Sequence, residues 1–243
     1  MEIPPQYRNK EQYVHAIFSS IAHRYDLLNT TLSLNRDKYW RRFAVEKTGL
    51  TAGGSALDIC CGTGMLTMEL AKTGGSKGTI VGLDFCENML AKAHENISKF
   101  PLRNCIELVQ GNAIQLPFAD NTFDCATIGF ALRNVPDVEK TINEMRRVVK
   151  PGGKVVSLEL SKPSVPVFKQ VYYLYFNRLV PLLGKIGIGQ NGPYSYLPNS
   201  VKIFPHQKEI RNLFARLQLL DAVYFELTGG IATVHVGTKP TNQ

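Results

Sequence analysis

From Ser55 to Leu160 short apolar runs alternate with amphipathic stretches, and this rhythm constrains the fold more than any other feature of the 243-residue chain. Strands are predicted at 55–59, 79–83, 105–110, 123–129 and 154–160, with helices at 65–73, 87–99 and 137–149 between them. Short, nearly continuous apolar runs are those of strands buried on both faces. Parallel neighbours need a crossover, which the intervening helices supply, so the pattern implies β-α-β units in a doubly wound, mostly parallel α/β sheet. Lys150-Pro151-Gly152-Gly153 reads as a turn between the last of these helices and its strand. A helix at 205–216 and two strands at 219–227 and 231–239 follow, the strands joined tightly and antiparallel through Thr228-Gly229-Gly230. They bring the sheet to seven strands. Residues 10–47 read as helical, with Tyr13, Ile17 and Ile21 on one stripe and Tyr39 and Phe43 on a later one. The expected organisation is one domain, 1–243: an amino-terminal helical lid (1–50), a ligand-binding core (51–162), a helical insert forming a cap (163–204), and the final helix and two strands (205–243).

The segment Ala56-Leu57-Asp58-Ile59-Cys60-Cys61-Gly62-Thr63-Gly64 runs a strand into a two-glycine loop that opens directly onto a helix. Glycines there let backbone approach a ligand at the carboxyl edge of the sheet, where doubly wound folds bind nucleotides. The dinucleotide fingerprint is not met: its third glycine position is Thr67, and Asp58 at the strand end would repel a pyrophosphate. A cationic sulfonium with an α-ammonium group suits that acid better. Asp84 closes the second strand, placed to accept hydrogen bonds from two ribose hydroxyls, and Gly111-Asn112-Ala113 follows the third strand, near an adenine. Any one of these is weak alone, since a glycine loop is commonly just a tight turn. The ordered set at successive strand ends is a strong signal.

Charge and cysteine usage bound the rest. Residues 161–218 hold eight Lys or Arg against the single acid Glu209, and five of the ten tyrosines fall in the same stretch. A basic, aromatic region suits an anionic surface, either nucleic acid or the cytoplasmic face of a membrane. No segment approaches the ~20 uncharged apolar residues of a membrane span, because Lys169, Arg178 and Lys185 interrupt the best candidate. Cys60, Cys61, Cys86, Cys105 and Cys125 include no C-x-x-C pair, and no leader pattern follows Met1. Reduced thiols in a cytoplasmic protein are expected. The five histidines show no paired helical spacing, so no metal site is expected.

Several blocks outside the loop carry a more selective likeness. Tyr25-Asp26-Leu27-Leu28-Asn29, Leu116-Pro117-Phe118, Asp120-Asn121-Thr122-Phe123-Asp124, Leu132-Arg133-Asn134-Val135, Glu159-Leu160-Ser161-Lys162-Pro163, Ser195-Tyr196-Leu197, Phe204-Pro205-His206-Gln207 and Leu227-Thr228-Gly229-Gly230-Ile231 occur in order over residues 11–239. Together they resemble the ubiquinone/menaquinone biosynthesis C-methyltransferase family, which has the class I S-adenosylmethionine-dependent methyltransferase fold. The resemblance implies S-adenosyl-L-methionine as cofactor, with Thr63 and Asp84 touching it, Asn112 and Ala113 bordering its adenine, and Asp58, Gly62, Gly64 and Gly129 completing the site. Met65 stands where the family often has an acid, and Gly129 where some members have a serine. It also implies a polyprenylated quinol acceptor, a naphthoquinol (demethylmenaquinol) before a benzoquinol, and a homodimer.

Methylating a ring carbon requires a neighbouring phenol, titrating near pH ~10, to give up its proton. Arg133, just past the fourth strand, is the first candidate to stabilise the phenolate or orient a water, with Asn134 and Tyr25 as candidates to position the acceptor. The plainer readings stand beside these. Arg133 can cap the next helix or pair with Asp137, Tyr25 can be a core or hinge aromatic, and His206 and His235 can be structural. The tyrosine-rich insert is either a helical cover or the mouth for a prenyl tail, with the basic surface docked on anionic lipid. Rival functions are a methyltransferase on another small molecule or RNA, and a fold that has lost activity. RNA is disfavoured by the lack of an evident catalytic cysteine or Asn-Pro-Pro-Tyr motif.

Overall fold

A computed structural model describes residues 4–163 and 196–241. Three helices lead the chain: α1 (Lys10–Ile21), α2 (Tyr25–Leu32) and α3 (Asp37–Thr48). The single helical stretch expected over 10–47 is broken by a 3₁₀ turn at Ala22–Arg24 and again before Asp37, where Leu34 and Asn35 adopt left-handed backbone (φ 50° and 64°). Asn9 caps α1 by accepting from the Gln12 amide at 2.9 Å.

The core then alternates as the sequence pattern requires: β1 (Ser55–Ile59), α4 (Met65–Gly74), β2 (Thr79–Asp84), α5 (Glu87–Ser98), β3 (Ile106–Gln110), β4 (Phe123–Gly129), α6 (Val138–Val148) and β5 (Val149–Leu160). After the undescribed segment come α7 (Tyr196–Ile203), α8 (Gln207–Arg216), β6 (Leu220–Leu227) and β7 (Ala232–Thr238). The strands form one sheet in the order β3-β2-β1-β4-β5-β7-β6, parallel except for β7. Strand order reverses at β1 and β4, which opens a crevice at their carboxyl ends.

Alternation along β1 sorts the two faces. Leu57 and Ile59 join Val81, Ile128, Ile142, Met145 and Phe214 in one core, whereas Ala56 joins Val45, Leu66, Leu70 and Ile80 in another. Asp137 caps α6 through the Lys140 amide at 2.9 Å, and Ile142, Met145 and Val148 recur at helical spacing on its buried face. His206 and Glu209 form a reciprocal capping box at the start of α8.

The expected turn at 150–153 is instead part of β5. Val149 pairs with Phe123 and Lys154 with Cys125, so the extra residues bulge between these pairs. The Gly152 amide and Gly153 carbonyl bond to Lys239 at 2.9 Å each, which holds the bulge inside the sheet. A side chain at Gly153 would collide with the Asp124 carbonyl. Of the expected 163–204 cap, α7 is described; the remainder, with its tyrosines and prolines, lies outside the described residues.

The leading helices lie across the carboxyl edge of the sheet and are tied to several of the segments that leave it. Lys10 Nζ donates to the carbonyls of Arg133 (3.0 Å) and Val135 (2.7 Å) beyond β4. Glu11 accepts from Asn112 beyond β3 at 3.0 Å. Asp26 accepts from Thr63 of the glycine loop at 2.5 Å and from Asn96 of α5 at 3.0 Å. Trp40 donates to Thr228 at 2.8 Å.

Candidate active site

The glycine loop turns through three left-handed residues, Cys60 (φ 54°), Gly62 (φ 57°) and Gly64 (φ 81°), and is held against the end of β2. The Gly62 amide donates to Asp84 Oδ2 at 2.8 Å, and the Cys86 amide to Asp84 Oδ1 at 2.9 Å. Burial raises the pKa of Asp84, and these amide bonds oppose the shift by favouring the carboxylate. Each oxygen keeps a further lone pair for a ligand hydroxyl.

Asp84 stands in the wall of a cleft of about 680 Å³. Of the residues expected around a cofactor, Gly62, Asp84, Asn112, Ala113 and Gly129 line it, and so do Tyr25 and Asn134. Gly129 is required by packing: a side chain there would meet Leu66 of α4 at 2.9 Å. Phe85, Met89 and Val14 supply apolar walls beside Asn112, and Glu11 projects into the cleft from α1. Sequence reasoning missed Glu11, Phe85 and Met89. Phe85 and Met89 follow Asp84 so closely that strand-to-helix geometry could have found them; Glu11 arrives from a distant helix and carried no local signal.

Three expected ligand contacts lie elsewhere. Asp58 does not line the cleft: it is 1% exposed and accepts from Thr67 (2.7 Å) and Thr127 (2.9 Å), facing α4 beneath the loop. The Thr63 hydroxyl is turned to Asp26, and Gly64 packs the loop on α5, where a side chain would meet Ile97 at 3.1 Å.

A second cleft of about 930 Å³ adjoins the first, sharing Phe18, Tyr25 and Phe130 as a common wall. Its surface is mostly apolar, from Ile17, Ile21, Leu28, Trp40, Leu160 and Ile231 among others. Tyr25 is brought over the loop, its Cε1 within 3.9 Å of a position above Gly62, and burial pushes its phenol pKa up. Phe130 has left-handed backbone (φ 57°) immediately after β4, a conformation that costs a non-glycine residue about 1–2 kcal/mol.

Arg133 reaches the second cleft, and its partner is not Asp137. Its Nη1 bonds to Glu159 of β5 and to the Phe130 carbonyl (2.6 Å), its Nε to Ser200 (3.3 Å), and its amide to Glu159 Oε2 (3.1 Å). Asp137 is occupied as the α6 cap. The Nη2 donors carry no hydrogen bond among the described residues. Asn134 accepts from the Tyr196 hydroxyl at 2.8 Å, which leaves its Nδ2 at a weak 3.4 Å from the Phe130 carbonyl. Neither His206, a helix cap, nor His235, buried against the Gln207 carbonyl with its pKa pushed down to about 4, lines a cleft.

The thiols of Cys60 and Cys61 are pushed well above their ordinary pKa, first by burial and then by Asp84 and Asp58, so neither is disposed to act as a thiolate nucleophile. Burial also raises Asp58 to about 7, against its two threonine bonds. The folded chain therefore keeps a proton that the unfolded chain loses above pH ~4. That contribution to stability is complete below the ordinary carboxylate range and is lost as pH rises through about 7. We expect the melting temperature of ligand-free protein to fall by about 5 °C between roughly pH 5.5 and 8.5. Asp58→Asn should flatten most of that fall, Asp84 contributing the rest; equal slopes in parent and variant would contradict the assignment.

A sheet of this order, with a glycine loop bonded to an acid at the end of β2 and a cleft at the switch point, is the fold of the class I S-adenosylmethionine-dependent methyltransferases. The chain belongs to the ubiE/COQ5 methyltransferase family, whose model matches residues 6–239. It is 53% identical to the demethylmenaquinone methyltransferase of Desulfitobacterium hafniense strain Y51 over 96% of its own length and 92% of that protein. It is 46% identical to the demethylmenaquinone methyltransferase of Shouchella clausii strain KSM-K16, over 96% and 99% of the two chains. Among solved structures, a SAM-dependent methyltransferase from Aquifex aeolicus superposes with a TM-score of 0.66 at 18% identity, covering 91% of this chain and 98% of that one. The [4+2]-cyclase SpnF also superposes, at a TM-score of 0.62 and 16% identity, covering 94% and 97% of the chains. Fold alone thus does not fix the reaction.

Proposed function

We propose that the chain transfers the methyl group of S-adenosylmethionine to a ring carbon of a polyprenylated quinol, demethylmenaquinol, in menaquinone biosynthesis. The observation that carries this reading is the pair of adjoining clefts: one with a polar ribose cradle at Asp84, the other apolar, meeting at Phe18, Tyr25 and Phe130. The relatives named above support the choice of acceptor.

The donor set fits the cofactor. Asp84 offers two oriented carboxylate oxygens, Asn112 and Ala113 border the adenine position, and Gly62 and Gly129 line the cleft between them. Asp58 and Asp84 are two buried acids raised by desolvation, a field that a cationic donor relieves without contact by Asp58. Thr63 and Gly64 act through the loop's shape, not by touching the ligand. Bound there, S-adenosylmethionine supplies an electrophilic methyl carbon.

The chain's own residues prepare the acceptor. Arg133 lines the second cleft and, through the Nη2 left without a partner among the described residues, would favour the phenolate form of the ring oxygen, while Glu159 fixes the guanidinium and offsets its charge. Deprotonation to water raises electron density at the neighbouring carbon, which would take the methyl group as its bond to the donor sulfur breaks and S-adenosylhomocysteine leaves; that carbon would then lose its own proton to water as the ring regains aromaticity. Tyr25 closes the boundary between the clefts, and Asn134, held by Tyr196, shapes it from the other side. In this reading α1–α3 are a lid and the segment around α7 a cover for the acceptor.

The direct test is to incubate the protein with labelled S-adenosylmethionine and a reduced short-chain demethylmenaquinone, then locate the label by mass spectrometry. Label on the unsubstituted quinol-ring carbon beside a hydroxyl is expected; label on oxygen, or none, would contradict the reading. A homodimer docked at the inner face of the membrane belongs to the same proposal. No helix among the described residues is long and apolar enough to cross a membrane. The basic 161–218 stretch supports peripheral docking. Flotation with anionic vesicles should carry the protein at low salt and release it at high salt; failure to float at low salt would exclude docking.

A further inference from the structure

The second cleft contains a buried donor that the methyl-transfer scheme leaves unused. Asn29, one helical turn after Tyr25 on α2, lines this cleft, and its Nδ2 is buried with no hydrogen-bond partner among the described residues. The nearest polar group is the Tyr25 phenol, whose ionised form the amide favours through a hydrogen-bonding approach, but the contact is not well enough formed to satisfy Nδ2. Other polar groups in the wall are committed. Ser33 donates to Asp37 at 2.9 Å, Asp37 holds Arg41 at 2.5 Å, and Tyr196 donates to Asn134 at 2.8 Å. Three donor groups in the wall are left without a well-formed partner among the described residues: Asn29 Nδ2, Arg133 Nη2 and the Tyr25 hydroxyl at the boundary with the first cleft.

A buried amide donor without an acceptor is destabilising, and native chains keep few of them. An acceptor that arrives with the ligand resolves the imbalance. We propose that Asn29 is a specificity-determining residue that donates to one oxygen of the acceptor ring while Arg133 holds the other, so that the cleft selects a ring bearing two oxygens and fixes which carbon faces the donor. This rests on the quinol reading above. It deepens that reading by assigning the second ring oxygen a partner on the amino-terminal helices.

The assignment gives Asn29 opposite effects on stability and turnover. Asn29→Leu is close to isosteric and removes the unpaired donor, so the ligand-free melting temperature should rise by a few °C. The same change should raise KM for a prenylated 1,4-naphthoquinol about 10–100-fold, with the dissociation constant for S-adenosylhomocysteine unchanged. The decisive reading is selectivity. The parent should prefer the dihydroxy ring over a prenylated naphthol with one hydroxyl by at least about tenfold, and Asn29→Leu should erase that preference. Asn29→Asp, which replaces a donor with an acceptor, should bind the diol worse than Asn29→Leu does. A variant that retains the parent's preference, or that melts lower and loses the cofactor as well, would overturn the proposal. Parent protein that methylates neither ring would instead remove the quinol reading itself.

Discussion

Arg133→Leu is expected to lower kcat by about 10²–10³-fold while leaving the dissociation constant for S-adenosylmethionine within about threefold of the parent. Arg133 lines the second cleft and not the first, so under the proposed function its loss should act on the ring oxygen and spare the cradle at Asp84. The single variant also leaves the Glu159 carboxylate buried without its cation. That defect costs about 3–5 kcal/mol of stability and would by itself lower the amount of active protein. The double variant Arg133→Leu/Glu159→Gln separates the two effects. Removing both charges should restore stability to within about 1–2 kcal/mol of the parent, since a buried ion pair contributes little net against neutral groups. Turnover should stay low. A double variant with near-parental kcat would show that Arg133 matters only for folding.

Asp84→Ala is expected to raise the dissociation constants for S-adenosylmethionine and S-adenosylhomocysteine alike by about 10²–10³-fold. Two charge-assisted hydrogen bonds to ribose contribute about 1.5–3 kcal/mol each, and part of the loss is recovered by water in the vacated space. The variant also releases the Gly62 and Cys86 amides that position the loop. Asp84→Asn keeps an acceptor for one of these amides and should fall between parent and alanine. Because ribose is common to donor and product, the two ligands should weaken in parallel, and calorimetry reads this directly. An unchanged constant for either would place the nucleoside elsewhere.

The sequence made the sheet legible because its strands are short apolar runs and because each crossover carries helical spacing. Asp84 was equally legible: it ends a strand and lies against a glycine loop. Asp58 ends a strand too, yet its alternation partner Ala56 packs against α3 and α4, so its carboxylate faces Thr67 beneath the loop and not the cleft. Strand parity does not separate the two acids: Asp58 pairs with Gly82, and Asp84 stands two residues further along on the same face, past the last residue of β1, where the Gly62 amide meets it. The partner of Arg133 was hidden for another reason. A helix rule favoured Asp137 four residues away, whereas the actual partner stands 26 residues away on the neighbouring strand. Asn29 and Glu11 had no signal at all, because their value depends on α1 and α2 folding across the sheet edge, a long-range arrangement with no local pattern.

The account turns on one spatial claim: the donor's sulfur sits where the two clefts meet, with the acceptor ring on the far side of that boundary. A crystal structure with S-adenosylhomocysteine and a naphthoquinol analogue measures this directly. The ribose should lie on Asp84, the sulfur should approach the wall formed by Phe18, Tyr25 and Phe130, and the ring should sit beside Arg133. A nucleoside bound away from Asp84, or a sulfur directed away from the second cleft, would contradict the account.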